Sequence, residues 1–137
     1  MARATRYNRK LALLVLDMDD FKAINDRIGH LAGDAVLAGA AERIRDVVRS
    51  ADIACRVGGD EFAVILPEST LADADQLSRR VLAAVSSGPI GKAGRLFLSG
   101  GVAELRPDDD AAAFFERADE ALYRAKNGGK GKLVAAK

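Results

Sequence analysis

Two kinds of apolar spacing alternate along this chain, and together they predict alternating strands and helices. Residues 11–16 are continuously apolar but too few for a stable helix, which predicts a central strand buried on both faces. Residues 53–57 and 62–66 are short β-prone runs on either side of a Gly-Gly-Asp-Glu segment, so we expect a hairpin there. Residues 95–105 predict another strand, and a short strand around residues 133–134 is expected at the sheet edge.

Three segments have the spacing of amphipathic helices. The first continues from Val36, where apolar residues recur at helical intervals. Thr70 and Asp73 form the sequence of a capping box and predict where the second begins. The aspartates of residues 108–110 predict caps for the third, which we expect to end at the Asn-Gly-Gly segment 127–129. The expected buried faces of the second and third helices consist of Ala74, Leu77, Val81 and Val85, and of Phe114, Ala118, Leu122 and Ala125.

The order of these elements predicts an α/β or α+β class, and composition limits what such a chain does. With 137 residues, 49% apolar and 30% charged, the chain predicts one domain over residues 1–137. A net charge of +1 is too small for broad nonspecific binding of nucleic acid. No apolar run is long enough to span a bilayer and no signal-peptide pattern follows the N-terminus, so we expect a cytoplasmic protein without membrane contact. The single cysteine, Cys55, fits a reducing compartment and is interpreted as a buried core residue.

The first candidate chemistry lies where the first predicted strand ends. Asp17, Asp19 and Asp20 follow the apolar run, and strand alternation places Asp17 and Asp19 on one face, about 6–7 Å apart. Such a cluster stays solvated, caps the next helix, or is neutralised by a divalent cation with oxygen ligands. This segment alone favours capping and solvation, because aspartate commonly begins helices.

Two further carboxylates, Asp60 and Glu61, lie at the predicted Gly-Gly turn. Glycines let a bulky ligand approach the backbone there, although a Gly-Gly-Asp turn is ordinarily no more than a turn. Two acidic strand ends in one α/β chain, with lysines nearby, are the parts that metal-assisted phosphoryl transfer uses, because carboxylates bind magnesium and amines offset phosphate charge. The combination shifts the interpretation toward a metal-dependent phosphoryl-transfer site.

Several segments together resemble the diguanylate cyclase family. Residues 56–62 contain its GGDEF signature, and residues 17–26 resemble its first-strand motif. The pairs at residues 29–30 and 33–34 and the segment 117–126 also fall at the family's spacing, so the resemblance runs from residue 10 to residue 135. It implies an α/β (α+β), palm-like nucleotidyl-cyclase fold, with a central, mostly antiparallel sheet of about five strands flanked by helices.

The resemblance also implies a metal site. The carboxylates of Asp17 and Asp60 and the main-chain carbonyl of Met18 are expected to hold Mg²⁺, with Glu61 joining them for a second ion. Mn²⁺ is expected to substitute for Mg²⁺. The implied catalytic residues are Asp60, Glu61 and Lys22.

The implied substrate site holds one GTP. Asn25 and Asp34 are expected to recognise guanine, because an amide and a carboxylate match the acceptor and donor edge of that base, and His30 is expected beside the nucleotide. The backbone around residues 20–22 is expected to cradle the terminal phosphates, whose charge is neutralised by two lysines. The implied substrate-binding set is Asn25, His30, Asp34, Asp20, Phe21, Lys126 and Lys130.

The implied reaction condenses two GTP molecules into cyclic di-GMP with loss of two pyrophosphates. Each subunit of a homodimer holds one GTP, so activity depends on protein concentration unless a partner domain brings two copies together. Arg49 and Asp52 match the family's RxxD inhibitory site for the product, and Arg80 falls where a further arginine is supplied. Without the adjoining signature, Arg49 and Asp52 would be interpreted as a surface salt bridge of small value.

The chain departs from the family pattern at three places. Only a remnant, residues 6–10, stands where family members have an earlier helix, so we expect a truncated N-terminal helix and no regulatory domain. Gly100 stands where an apolar β-branched residue is common, and with Gly101 it predicts weakened pairing, a bulge or a close backbone approach. Lys130 replaces the usual arginine, which keeps the charge but loses bidentate geometry.

Two other functions remain open, because a fold does not fix a function. The first is a catalytically silent receptor for cyclic di-GMP or GTP within a larger signalling protein, which the intact GGDEF letters disfavour. The second is a scaffold whose exposed helices dimerise a larger protein. Metal-dependent GTP binding discriminates against the scaffold, and pyrophosphate release discriminates against the receptor.

Overall fold

Strands and helices alternate along the chain and form one sheet with helices on both faces. The computed structural model describes residues 10–137. The strands are β1 (Leu11–Met18), β2 (Ile53–Gly58), β3 (Glu61–Pro67), β4 (Leu98–Glu104) and β5 (Leu133–Ala135). The helices are α1 (Phe21–Ile28), α2 (His30–Val47), α3 (Leu71–Val85) and α4 (Ala111–Asn127), with a 3₁₀ turn at Gly91–Ala93.

The sheet places β1, the most apolar strand, at its centre. Its strand order is β2-β3-β1-β4-β5, and every neighbouring pair is antiparallel except β4 with β5. Val15 of β1 pairs with Ala63 on one side and with Gly101 on the other. The β2–β3 hairpin turns through Gly59, whose φ of +48° is a conformation that glycine adopts without strain. The expected α/β (α+β) class and five-stranded, mostly antiparallel sheet are confirmed.

Alternating side chains of β1 divide the interior into two cores. Leu14 and Leu16 belong to the larger core, which α2 and α3 cover. Leu13 and Val15 belong to the smaller core, which α4 covers. Successive side chains of a strand point to opposite faces, so Asp17 continues the series that faces α4.

The local signals of α3 and α4 are confirmed. The Asp73 amide donates to the Thr70 side chain at 3.2 Å, and the reciprocal bond of the capping box is also present. Asp110 caps α4 by accepting a hydrogen bond from the Ala113 amide at 2.8 Å. The predicted inner faces of both helices are buried.

Two predicted boundaries are wrong, and one helix has no counterpart among the predicted elements. α2 begins at His30 rather than near Val36. α1 is only eight residues long and buries none of them fully, although Phe21, Ile24 and Ile28 pack against the larger core. β4 begins at Leu98 rather than at residue 95, because Arg95 forms an isolated antiparallel bridge with Pro89 instead of joining the sheet.

Gly101 lies where β4 passes beneath α4. A Cβ added there would lie 2.1 Å from the Ala118 carbonyl oxygen and 2.4 Å from the Leu122 amide nitrogen. Gly100 faces the other core, where a Cβ would meet the ends of leucine side chains at 3.0 to 3.3 Å. Both glycines pair with β1 without a register shift. Of the three effects expected here, the close backbone approach is therefore the one confirmed.

Cys55 is exposed, so its prediction as a core residue is wrong. It lies on β2, which is an edge strand of the sheet. Ile53 and Val57, on the same strand, are also exposed, by 55% and 48%. α4 packs on β1, β4 and β5, so the position of β2 in the sheet, and not its apolar sequence, determines this exposure.

Within residues 10–137, no helix is both long enough and apolar enough to cross a membrane. The expected helical remnant at residues 6–10 lies outside the described residues except for Lys10.

Candidate active site

The acidic end of β1 meets the turn of the β2–β3 hairpin. Asp17 and Glu61 are direct partners across β1 and β3. The Met18 amide donates to the Asp60 carbonyl oxygen at 3.3 Å, which draws the turn onto the strand end. The Asp60 carboxyl lies near enough to the Asp17 carboxyl to raise its pKa. Two acidic segments that are distant in the sequence therefore form one cluster.

Burial and neighbouring carboxylates raise the pKa of two of these carboxyl groups, those of Asp17 and Glu61. Burial and then the Asp60 carboxyl raise the pKa of Asp17 to about 7, against the opposing effect of Lys126. Burial, then Asp119 and Asp60, raise the pKa of Glu61. Asp17 Oδ1 is buried and has no hydrogen-bond partner among the described residues. A buried carboxylate oxygen without a donor, beside a second carboxylate, is the arrangement that a hard divalent cation stabilises.

The residues present fit a magnesium ion whose coordination is completed by substrate oxygens. Residues 10–137 contain no group of three or more His, Cys, Asp or Glu side chains arranged to hold a metal by themselves. Asp17 and Asp60 nevertheless supply two adjacent carboxylates, and Mg²⁺ characteristically binds through one or two carboxylates plus substrate phosphates. The ligand roles of Asp17, Met18, Asp60 and Glu61 all remain predictions.

Two lysines reach the same strand end from α4 and the connection to β5. Lys126 Nζ lies 3.5 Å from Asp17 Oδ2 and 3.4 Å from Asp19 Oδ1. Lys130 Nζ lies 2.6 Å from Asp20 Oδ1, and this contact raises the pKa of Lys130 and lowers the pKa of Asp20. Lys126 therefore lies beside the predicted metal ligand Asp17, and Lys130 lies beside Asp20, which is predicted to bind substrate.

A cavity of about 320 Å³ opens next to this cluster. It is enclosed by α1, the first turns of α2 and the hairpin turn, so it collects residues from three of the sequence motifs. All three residues predicted at the base and beside the nucleotide lie on its wall. Its lining consists of Phe21, Lys22, Asn25, His30, Asp34, Leu37, Arg56, Gly59 and Asp60.

The amide of Asn25 is held in one orientation. Its nitrogen lies 3.1 Å from His30 Nδ1, so the amide donates and the imidazole nitrogen accepts. Its oxygen occupies the space above Gly33, where an added Cβ would lie 2.0 Å from Asn25 Oδ1. The absence of a side chain at Gly33 is therefore what allows Asn25 its position in the cavity.

Three residues at the site are absent from the predicted catalytic, substrate-binding and metal-binding sets. Asp19 is only 7% exposed and contacts Lys126. Arg56 Nε donates to the Gly59 carbonyl at 2.7 Å and so braces the hairpin turn. Asp119 lines a second cavity, of about 290 Å³, with Asp17 and other residues of the cluster. Strand alternation is the signal that grouped Asp19 with Asp17, whereas nothing local in the sequence indicates that Asp119 approaches Glu61.

Arg49 and Asp52 form a bidentate ion pair at the start of β2. Arg49 Nη2 lies 2.7 Å from Asp52 Oδ1, and Arg49 Nε lies 3.1 Å from both carboxylate oxygens. Arg49 Nη2 also donates to Ser69 Oγ at 2.8 Å. Arg80 is exposed on α3 and forms no ion pair with these residues. The structure therefore pairs two of the three predicted inhibitory residues, and Arg80 is not part of that ion pair.

Comparisons of the sequence and of the structure with known proteins relate this chain to the same protein family. A family model described as "Diguanylate cyclase, GGDEF domain" matches residues 1–132. The diguanylate cyclase DgcP of Pseudomonas aeruginosa is 43% identical over 139 residues, which cover 99% of this chain and 21% of DgcP.

Two solved structures share the fold over nearly the whole chain. The active GGEEF domain of a diguanylate cyclase from Vibrio cholerae has 33% identity and a TM-score of 0.92, and the match covers 99% of this chain and 88% of that one. The GGDEF domain of DgcB from Caulobacter crescentus, solved in complex with c-di-GMP, has 34% identity and a TM-score of 0.92, with coverage of 98% and 82%. The chain spans only 21% of the length of DgcP.

Proposed function

The chain belongs to the diguanylate cyclase GGDEF domain family, and on that premise we propose that it condenses two GTP molecules into cyclic di-GMP and two pyrophosphates. The observation that carries the proposal is the convergence of the acidic β1 end, the GGDEF turn and two lysines beside one cavity. Carboxylates for a metal, amines for phosphates and a pocket for a base are the parts that nucleotidyl transfer needs.

Asp17 and Asp60 are the residues that hold Mg²⁺ in this proposal, with the Met18 carbonyl as a third ligand and Glu61 serving a second ion. Mn²⁺ is expected to replace Mg²⁺, since both accept oxygen ligands. The chemistry that the metal supplies when bound is polarisation of the phosphoryl oxygens and a lower pKa for the attacking hydroxyl. The orphaned Asp17 Oδ1 supports this assignment.

Lys126 and Lys130 offset the charge of the triphosphate. The amides of residues 20–22, at the N-terminus of α1, add donors for the terminal phosphates, and Lys22 adds a third cation at the mouth of the cavity. Lys130 is already paired with Asp20, so a phosphate has to displace a carboxylate to reach it.

Asn25 and Asp34 select guanine in this proposal. Asp34 accepts from the N–H groups of the base, and Asn25 offers one amide oxygen and one N–H that is not committed to His30. Adenine has an acceptor at N1 and only a C–H at C2, where guanine has an N1–H and a 2-amino group, so its binding would leave Asp34 without those donors.

The reaction needs two subunits facing each other. The 3′-oxygen of one GTP forms a bond to the α-phosphorus of the other, the bond from that phosphorus to the bridging oxygen breaks, and pyrophosphate leaves with the electron pair. The hydroxyl proton passes to Asp60 or Glu61. Burial and the nearby Asp119 raise the pKa of Glu61, which favours its role as a proton acceptor. The same exchange in the opposite direction closes the ring.

We also propose that the product inhibits the enzyme at Arg49 and Asp52. Guanidinium and carboxylate groups together match the Hoogsteen and Watson–Crick edges of guanine, and a second arginine at Arg80 adds phosphate contact. Arg49 is already bound to Asp52 and Ser69, so the product has to compete with these contacts. Arg49→Ala should raise the cyclic di-GMP concentration needed for half inhibition at least tenfold without changing the initial rate. An unchanged inhibition curve would place feedback elsewhere.

The proposal is tested by identifying the product chromatographically and substituting Asp60. The unaltered chain should convert GTP, in the presence of Mg²⁺, to cyclic di-GMP and pyrophosphate. Asp60→Asn should abolish turnover and retain the circular dichroism spectrum, because Asp60 lies in a turn and not in either core. Turnover that persists in Asp60→Asn would refute the metal assignment. Product binding without turnover in the unaltered chain would favour a receptor.

A further inference from the structure

Asp19 has a buried carboxylate that joins three separate parts of the fold. Ser99 Oγ of β4 donates to Asp19 Oδ1 at 2.7 Å, and the Gly131 amide donates to Asp19 Oδ2 at 2.8 Å. Lys126 Nζ lies 3.4 Å from Asp19 Oδ1. The Asp19 side chain is only 6% exposed. Each of its oxygens is thus occupied by donors from β4, α4 or the α4–β5 connection.

The α4–β5 connection has a conformation that needs such an anchor. Gly129, Lys130 and Gly131 all have positive φ, of +117°, +61° and +60°. Lys130 is the one non-glycine residue of the three, and such a residue prefers other backbone regions. The Gly131 amide bonds to Asp19 and also to Ser99 Oγ at 3.1 Å, which fixes the end of the turn.

We propose that Asp19, supported by Ser99, is the positioning residue for the phosphate-binding lysines. Its carboxylate holds Lys126 Nζ directly and holds Lys130 through the backbone of the α4–β5 connection. The inference rests on the proposed function, because it assigns these lysines to the triphosphate of GTP.

Positioning matters because lysine is a flexible cation. Each lysine side chain carries about 2 kcal/mol of rotamer entropy, and a lysine that is already held in place loses less of it on binding a phosphate. Asp17, the other carboxylate on Lys126, is the residue proposed for the metal. Asp19 therefore contacts Lys126 without also being a proposed metal ligand.

Asp19→Asn tests the proposal with little change of shape. In asparagine one of the two accepting oxygens is replaced by an NH₂ donor. That donor then faces either the Gly131 amide or the donors of Ser99 and Lys126, so one of these contacts is lost. Asp109→Asn is the matched control, because Asp109 is also a buried carboxylate, 7% exposed at its side chain, and lies 2.6 Å from Arg117 Nη2. Arg117 and Lys126 are nine residues apart on α4, which is about 13 Å along the helix.

The measurement is calorimetric binding of the non-cleavable α,β-methylene GTP with Mg²⁺, together with thermal unfolding and the KM and kcat for GTP. Asp19→Asn should weaken analogue binding and raise KM roughly tenfold, the size expected for the loss of one charge-assisted contact, with a smaller change in kcat. Asp109→Asn should lower the unfolding temperature without altering analogue binding or KM. Ser99→Ala should raise KM less, about threefold, because it removes one donor to Asp19 but leaves the contact of Asp19 with Lys126. Ser78→Ala removes another buried hydroxyl, one without a hydrogen-bond partner in the described structure, and should leave KM unchanged.

The outcomes separate this inference from the proposed function. Equal analogue binding by Asp19→Asn and the unaltered chain, or equal losses in Asp19→Asn and Asp109→Asn, would overturn the positioning role alone. Failure of the unaltered chain to bind the analogue would overturn the proposed function, and the positioning role with it.

Discussion

Replacing Gly101 by alanine places a methyl group in space that the α4 backbone already occupies. The new Cβ would lie 2.1 Å from the Ala118 carbonyl oxygen and 2.4 Å from the Leu122 amide nitrogen. Because both contacts are with backbone, no side chain can rotate away. In a close-packed interior α4 would have to move by about 1 Å or more. Overpacking of this kind costs about 1–3 kcal/mol, and a clash with a rigid helix belongs at the upper end.

Gly100→Ala is the matched control. It is the adjacent residue of the same strand, but its Cβ would meet Leu133, Leu16 and Leu14 at 3.0, 3.1 and 3.3 Å, all at the ends of flexible side chains. The lower entropy of the unfolded chain contributes about 0.4–1 kcal/mol in favour of alanine. We therefore expect a net change within about 1 kcal/mol for Gly100→Ala.

Urea unfolding followed by circular dichroism measures the difference. With a slope of about 1–3 kcal/mol per molar urea, a loss of about 3 kcal/mol lowers the midpoint for Gly101→Ala by about 1–3 M. Because α4 also carries Lys126, the same variant should bind GTP more weakly below its unfolding midpoint. Equal midpoints for the two alanine variants, or a stable Gly101→Ala, would refute the packing of β4 against α4 described above.

Three further predictions concern the site itself. Gly33→Ala places a Cβ 2.0 Å from Asn25 Oδ1, so it should raise the KM for GTP roughly tenfold and reduce the preference of the protein for GTP over ATP. Gly88→Ala, where a Cβ meets nothing within 4 Å, should change neither the KM nor this preference. An unaltered preference for GTP in Gly33→Ala would contradict the role of Asn25 in guanine recognition. Asp20→Asn removes the charge that holds Lys130 at 2.6 Å, and asparagine tolerates the positive φ of this position. The KM for GTP should therefore be lower than that of the unaltered chain at low salt and equal to it at high salt. A higher KM in Asp20→Asn would contradict the competition between Asp20 and phosphate for Lys130. Burial and Asp60 raise the pKa of Asp17 to about 7, so protons compete with the metal for this carboxylate below that pH. Mn²⁺ affinity, measured by electron paramagnetic resonance, should therefore fall as the pH drops from 8 to 6, and Asp17→Asn should lose most of this pH dependence. An affinity that does not change with pH in the unaltered chain would argue against Asp17 as a ligand.

Features that depend on neighbouring residues were predictable from the sequence. The Thr70–Asp73 capping box and the inner face of α4 are written in short segments, and both are confirmed. The β2–β3 hairpin is confirmed for the same reason, because glycine and acidic residues fix the turn locally.

Features that depend on the assembled sheet were not predictable in the same way. The exposure of Cys55 follows from the edge position of β2, which no property of its own segment indicates. The burial of Asp19 is determined by Ser99 and Gly131, which are 80 and 112 residues away in the sequence. The family resemblance named the site residues, but the orientation of Asn25 above Gly33 required the structure.

The most direct test of the account is the dependence of cyclic di-GMP formation on protein concentration, with GTP and Mg²⁺ in excess. Each subunit is proposed to hold one GTP and to need the GTP of a second subunit. The rate of product formation should therefore rise with the square of protein concentration in the dilute range and become linear once dimers saturate. A rate that is proportional to protein concentration even where the chain is monomeric, or the absence of cyclic di-GMP at every protein concentration, would contradict the proposed function.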